Sequence, residues 1–462
     1  MAKPAINIQD LFDLPESVIY NPDGYKPVKE IITDSRIVEK GSMFVAIEGE
    51  KFDGHEFITS AIENGASAIL INENKLDKCG DTDVTVITVP DTVKAYGYLA
   101  NAWRKKLNVK IISLTGSNGK TTTKEMIATL LSEKYKVLKT EANNNNHLGV
   151  PLTILSAEKK HEIIVLEHGT NHFGETKYTA EIALPDVALV TNIGDSHLEF
   201  LQNRKGVFEE KSALLDETVK NKGKILINND DPFLINYNTD YKNRTTYSFG
   251  NDSEIKGKIT GFTDDGKTKI EILKGKIRIE TVLPLYGESN AKNYLAAVTV
   301  ALKMGLSKEE ILSGTKKLKA VYKRLNVTKK RDLMIIDDTY NSNPDSMRSA
   351  LELMKKITKY PKKIFVAGDM FELGKDAKNL HIGLAENIVK SRINIFLSIG
   401  ENMKFLSEKL KSAQLEKQHF ADRDSLLKYL RNYDFKNSAV LFKGSRGMKM
   451  EEFADLLKER YI

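Results

Sequence analysis

The chain has 462 residues, 41% hydrophobic and 29% charged, which leaves room for about three domains of roughly 100 to 200 residues and excludes both a disordered chain and a bundle of membrane spans. Lys and Arg number 70 against 63 Asp and Glu; the excess is spread along the chain, so it suits small anionic ligands and offers no basic tract for nucleic acid. Cys79 is the single cysteine, which rules out an intrachain disulfide or a cysteine zinc site, and within the polar KCGDTD it reads as a bystander.

The opening MAKPAINIQDLFDLPESV has no apolar core of a signal peptide, and no apolar run reaches the roughly 18 residues of a membrane span. A cytoplasmic address with no membrane insertion is expected. Residues 1–108 then mix short strands and helices (KPVKEIITDSR, GSMFVAIEG, HEFITSAIENGA, SAILI), predicting a small α/β domain. From Val109 β-branched runs alternate with helical stretches: VKIISL, EIIVLE, DVALVTN and GKILINN. This is the pattern of a parallel sheet with crossover helices. Polar residues close each run: Thr115 to Thr122, Glu167, Thr191 with Asn192, and Asn228 with Asp230. In an open parallel sheet the carboxyl ends of the strands face the ligand crevice, so these groups are expected to converge.

Residues 254–283 alternate polar and apolar around Thr263-Asp264-Asp265-Gly266, predicting an antiparallel hairpin insertion. A helix follows Gly287, completing a central domain over 109–318. LMIIDD, KIFVAGD, INIFLSIG and AVLFKGSR then predict a third, Rossmann-like α/β domain over 319–462, with Asp337, Asp338, Asp369 and Lys443 at its strand ends.

Thr115-Gly116-Ser117-Asn118-Gly119-Lys120-Thr121-Thr122-Thr123 lies between the strand VKIISL and a helix whose Met126, Ile127, Leu130 and Leu131 recur at helical spacing. Glycines let the backbone wrap a phosphate, the helix start offers unpaired N–H groups, Lys120 can reach terminal phosphates, and the Thr121 hydroxyl can bind magnesium. This is a P-loop, although Leu114 stands where the common pattern has its first glycine. A P-loop alone specifies a nucleoside triphosphate and leaves motors, kinases and GTPases open. Glu167 and His197 fit either a divalent-metal site or ordinary strand-end and backbone-satisfied roles, and Lys211 alone would pass for a solvated helix lysine.

TGSNGKTT, NNHLGVPLT at 145–153, EHGTNH at 167–172, TNIGDSHLE at 191–199 and DDTYNSNPDSM at 337–347 resemble the Mur ligases, ATP-dependent amino acid ligases of peptidoglycan synthesis. The segment TDSRIVEKGSMFVAIEGEKFDGHEF at 33–57 is similar to the family's UDP-binding domain. AGDMFELG at 367–374 and KGSRGMKME at 443–451 resemble the member that adds D-alanyl-D-alanine to UDP-N-acetylmuramoyl-tripeptide. The resemblance implies that activity, through an acyl phosphate, with these two substrates as partners and a monomeric enzyme.

It also implies roles. Gly116, Ser117, Asn118, Gly119, Lys120, Thr121 and Thr122 would hold ATP phosphates, with Thr121 and Glu167 on magnesium. His197 and a carbamylated Lys211 would serve a further magnesium, since a carbamate is an anionic oxygen ligand and an ammonium is not. Asn290 and Asn293 fall at the adenine, with Ser289 in place of the family's usual His. Arg324 would reach the phosphates, preceded by Lys323 where Gly is usual. Asp338, Tyr340, Asn341 and Asn343 would complete the ATP site and position the incoming amine. Lys443, Ser445 and Arg446 would lie near the acceptor. Thr33, Asp34, Ser35 and Arg36 match the uridine-nucleotide site, and Asn145, Asn146 and Thr153 the muramoyl-peptide groove.

The alternative within the family is the ligase that adds the third-position diamino acid to the UDP-N-acetylmuramoyl dipeptide, whose D-N-P-R segment does not occur here. A folylpolyglutamate synthetase, another relative, leaves the N-terminal domain unexplained. A nucleotide-dependent switch would need no second-substrate sites.

Overall fold

The structure, a computed structural model, describes residues 4, 6–49, 52–410 and 414–461. Residues 1–3 and 5 of the opening segment, and Glu50 and Lys51 of the uridine-type segment, lie outside the described residues. Three sheets follow one another along the chain. The first has five strands, β1 (Val18–Tyr20), β2 (Ile31–Ile32), β3 (Met43–Val45), β4 (Ala68–Asn72) and β5 (Thr85–Val89), in the order β1-β5-β4-β3-β2. Only the β1–β5 pair is antiparallel. Cys79 is buried among Ile69, Ile71 and Val86 below this sheet, so the polar KCGDTD stretch does not keep its thiol at the surface.

The second sheet has nine strands, β6 (Lys110–Thr115), β7 (Val137–Lys139), β8 (Ile163–Glu167), β9 (Val187–Val190), β10 (Lys224–Asn228), β11 (Arg244–Ser248), β12 (Ile255–Phe262), β13 (Lys267–Lys274) and β14 (Ile277–Tyr286). Their order is β14-β13-β12-β11-β10-β9-β6-β8-β7. The chain moves to one side of β6 through β7 and β8 and to the other with β9, so the strand order reverses beside β6, where an open sheet forms its ligand crevice. Ile163 to Glu167 are all buried because helices cover both sheet faces. The expected antiparallel hairpin turns at Thr263–Gly266 between β12 and β13, and it extends the main sheet: β12 pairs parallel with β11, and β13 and β14 follow antiparallel.

The first two sheets share a core. Leu99 and Trp103, on the helix Thr92–Lys106, are buried together with Val150, Ile154 and Leu166, and the Trp103 indole donates to the Ala157 carbonyl at 3.0 Å. The third sheet has six strands, β15 (Asn326–Lys330), β16 (Leu333–Asp338), β17 (Lys362–Gly368), β18 (Ile395–Ile399), β19 (Glu416–Phe420) and β20 (Ser438–Lys443). In the order β15-β16-β20-β17-β18-β19 it is parallel except for β15. Among the described residues no helix is long and apolar enough to cross a membrane.

Candidate active site

The loop after β6 turns sharply because of Gly116 and Gly119, with φ of 150° and 81°. A Cβ on Gly116 would overlap the Thr191 hydroxyl, and one on Gly119 the Asn293 side chain. The loop therefore needs glycine for close approach as well as for conformation. It is braced from the end of β9. Ser117 N donates to the Asn192 carbonyl at 2.9 Å and Asn118 N to Asn192 Oδ1 at 3.1 Å. Thr191 Oγ1 and Asn192 Nδ2 donate to the Asn118 carbonyl at 2.6 and 2.9 Å. The Ser117 and Asn118 amides are thus bonded within the protein although both residues line the cleft, whereas the amides opening the helix Lys120–Leu131 have no intrahelical partners.

Lys120 Nζ donates to the Gly116 carbonyl at 2.8 Å. Burial pushes its pKa below the ordinary lysine value, and the nearby Arg324 cation adds to the effect. Glu167 is buried, not a solvated strand end. Its Oε1 accepts from Thr121 Oγ1 at 3.0 Å and Asn145 Nδ2 at 2.9 Å, while its Oε2 is buried without a hydrogen-bond partner and lies 3.9 Å from Lys124 Nζ. His168, next in sequence, is structural: its ring bonds Thr179 and Ser113 at 2.8 and 2.9 Å, and burial lowers its pKa to about 3.

Lys211 is the largest departure from what its sequence position suggests. It is fully buried on the helix Arg204–Lys220 with no hydrogen-bond partner for Nζ. Burial first, and then Lys120, hold its pKa well below the lysine norm. Neighbouring Glu210 accepts from Thr170 Oγ1, Gly174 N and Thr176 N at 2.9, 2.6 and 2.7 Å, so it braces the loop after β8 and does not pair with the lysine. His197, at φ 52°, has its Nδ1 2.8 Å from Glu372 Oε2 of the third domain; the approach of that ring holds the Glu372 carboxyl below its usual range.

The third domain closes the other wall. Arg324 Nη2 donates to Thr121 Oγ1 at 3.1 Å, and Asn343 Nδ2 to Asn118 Oδ1 at 3.0 Å. Lys443 Nζ reaches Asp338 Oδ2 at 2.6 Å and the Asn341 carbonyl at 3.2 Å. A cleft of about 780 Å³ results, lined by Ser117 to Thr122, Asn145, Asn146, Glu167, His197, Asn290, Asn293, Arg324, Asp338, Tyr340 to Asn343 and Lys443. Residues from distant motifs thus share one cavity, as the converging strand ends predict.

Other expected residues lie elsewhere. Thr153 Oγ1 donates to the Gly149 carbonyl within its own helix and does not line the cleft. Thr33, Asp34, Ser35 and Arg36 sit on the first domain away from it. Asp34 caps a short 3₁₀ turn there, and the pairing guanidinium of Arg36 lowers its pKa to about 2. Ser445 is buried and accepts from the Phe371 amide at 2.8 Å, and Arg446 is exposed beside Tyr340. Asp337 pairs with Lys458, and Asp369 accepts from the Asn402 and Met403 amides, so both strand-end carboxylates are structural. Glu372, Asp195 and Asp345 lie within recognised motifs but carry no expected role there; with Arg204 and Arg348 the two aspartates form an ion cluster at the closure surface.

Comparison with known proteins accounts for this arrangement. Residues 27–104 match the Mur ligase family, catalytic domain; residues 114–301 the Mur ligase middle domain; and residues 323–446 the Mur ligase, glutamate ligase domain. A Bacillus subtilis (strain 168) protein named UDP-N-acetylmuramoyl-tripeptide--D-alanyl-D-alanine ligase is 34% identical over 98% of each chain. The chain belongs to the Mur ligase family. A crystal structure of MurF from Acinetobacter baumannii superposes on this Mur ligase with a TM-score of 0.86 at 32% identity, covering 98% of this chain and 100% of that one. The Thermotoga maritima MurF ligase in complex with ADP gives 0.83 at 30% identity, covering 93% and 98%. A UDP-N-acetylmuramoyl-L-alanyl-D-glutamate--2,6-diaminopimelate ligase gives 0.59 at 16% identity, covering 99% and 100%, which is a likeness of fold alone. The three-domain α/β architecture and an ATP-dependent ligase chemistry follow for this Mur ligase.

Proposed function

We infer that the chain joins D-alanyl-D-alanine to UDP-N-acetylmuramoyl-tripeptide at the expense of ATP. The observation that carries this is the single cleft in which Lys120, Thr121 and Glu167 face Arg324, Asp338 and Lys443 of the third domain, because the reaction needs a phosphate-activating and an amine-presenting wall in one closed space. The terminal carboxylate of the tripeptide attacks the γ-phosphate, giving an acyl phosphate and ADP. The dipeptide amine then attacks the acyl carbon, and phosphate leaves with the bonding pair. Lys120 and Arg324 offset the charge of two approaching anions and of the transferring phosphoryl. Docking of the third domain keeps water from the acyl phosphate.

The donors suit magnesium. Among the described residues no group of three or more His, Cys, Asp and Glu forms a metal cage, and magnesium is commonly held by one or two carboxylates and substrate phosphates. Thr121 and Glu167, with its unpartnered Oε2, would hold one ion and His197 a further one, and these would screen the phosphate charge. The unpartnered, buried Lys211 Nζ suits conversion to a carbamate, a reaction of the neutral amine. We assign nucleotide-sugar binding to residues 1–108, including Thr33 to Arg36, ATP to 109–318, including Asn290 and Asn293, and the acceptor to 319–462, including Asn341, Asn343, Lys443 and Arg446. Asn145 and Asn146 would border the peptide. Both nucleotide substrates place the reaction in the cytoplasm, and a cleft walled by one chain suits a monomer.

The test is amine-dependent phosphate release with the nucleotide tripeptide, ATP and a panel of acceptors. D-alanyl-D-alanine should far exceed diaminopimelate, lysine and D-glutamate; faster release with a single amino acid would contradict the assignment.

A further inference from the structure

Arg324 sits on a strained turn. Lys323 and Leu325 on either side of it have φ of 60° and 46°, a left-handed conformation that costs non-glycine residues energy and persists only when its surroundings hold it. The hold comes from the end of β16. Tyr340 N donates to the Lys323 carbonyl at 3.0 Å, and Leu325 N to Asp338 Oδ1 at 3.1 Å. Lys443 then pins the flanks of Tyr340 through Asp338 and the Asn341 carbonyl. The Arg324 guanidinium lies 4.0 Å from the centre of the Tyr340 ring, and that of Arg446 lies 5.5 Å from the same ring. Arg324 Nε is buried without a hydrogen-bond partner, and the Tyr340 hydroxyl bonds no described residue.

We propose that Tyr340 is a positioning residue whose ring face holds Arg324 toward the phosphates and Arg446 toward the acceptor, tying the two ends of the cleft together. The proposal rests on the reading of Arg324 and Arg446 given above. The electron-rich face of an aromatic ring attracts a guanidinium and so offsets the mutual repulsion of two cations placed near each other. Opening of the acceptor end then displaces the arginine that serves phosphoryl transfer.

The experiment is a set of double-mutant cycles on the full-length enzyme. Tyr340→Leu should lower kcat about 10-fold and raise the acceptor KM about 5-fold, the range of a partly desolvated cation–π contact. Tyr340→Phe, which keeps the ring, should recover most of both losses. In an Arg324→Ala background Tyr340→Leu should change kcat less than about 2-fold, and in an Arg446→Ala background it should leave the acceptor KM unmoved. Should Tyr340→Leu fail to fold, Tyr340→Met takes its place in the same cycles. Additive losses in the Arg324 cycle, or a Phe variant as poor as Leu, would overturn the proposal. Wild-type rates for Arg324→Ala itself would instead overturn the phosphate role of Arg324, a separate failure.

Discussion

An amine taken out of water without a partner costs several kcal/mol unless it gives up its proton, and Lys211 is in that position. Its folded pKa lies below the unfolded one, so between the two values the unfolded chain binds more protons and stability from this group rises with pH. A methionine of similar length removes the cost. Lys211→Met should therefore melt at or above the wild-type temperature in metal-free, bicarbonate-free buffer, while turnover falls at least about 100-fold, the scale of a lost electrostatic stabiliser. Calorimetry paired with phosphate release tests this; a variant that melts several degrees lower and keeps its rate would make Lys211 structural. Lys120 lacks such a conflict. Lys120→Ala should lower turnover by about 100-fold or more, and near-normal turnover in a folded variant would remove the P-loop lysine from the chemistry.

At the scale of elements, the helix Pro344–Lys356 begins at Asn343, whose Oδ1 accepts from Ser346 N while its Nδ2 crosses to Asn118. Asn343→Ala loses both functions and should cost about 1 kcal/mol of stability through the cap. Asn343→Asp keeps the cap but turns a carboxylate toward the phosphate loop, so it should melt like wild type with the KM for ATP raised several-fold. Equal ATP KM values for Asp and wild type would show that the crossing bond is incidental. The same division between local and distant partners explains what the sequence made legible. β6, β8, β16, β17, β18 and β20 are mostly buried apolar runs and were readable. The edge strands β15 and β19, NVTKK and EKQHF, carry too many polar residues to stand out, and the edge strand β7, VLK, is only three residues long. The loop from Gly116 to Thr122 is legible because its signature residues are contiguous, and Thr191 is legible as a strand end converging on it, whereas the close approach of Thr191 and Asn293 to its glycines depends on packing that no local pattern records. Lys211 was not readable from its helix alone, since lysine at a buried position leaves no local mark; only resemblance singled it out.

At the scale of the whole molecule, the third domain is docked across the phosphate loop at two margins. On one, Asp345 Oδ2 accepts from Asp195 N at 3.1 Å, and its carboxylate lies between Arg348 at 2.6 Å and Arg204 at 3.4 Å; Arg204 also binds Asp195 at 2.7 Å. On the other, the Asp264 carbonyl accepts from Thr358 N and Lys359 N, both at 3.0 Å. The backbone margin is insensitive to charge and suits a pivot, while the ionic margin suits the side that opens. The Asp195 carboxyl is held below its usual range chiefly by the Arg204 hydrogen bond. Its contribution is therefore present above the ordinary aspartate pKa of about 4 and is lost as pH falls through the lower folded value, so changes within the neutral range should leave the ionic margin closed. Asp345→Ala removes the anion between the two arginines and leaves like charges facing each other. The closed population should fall, and water should reach the acyl phosphate. The expected result is kcat lowered about 10-fold, phosphate release without acceptor raised, and a larger radius of gyration by small-angle scattering with ATP and tripeptide bound. An Asp345→Ala enzyme that stays as compact as wild type and tightly coupled to the acceptor would show that closure does not depend on this cluster.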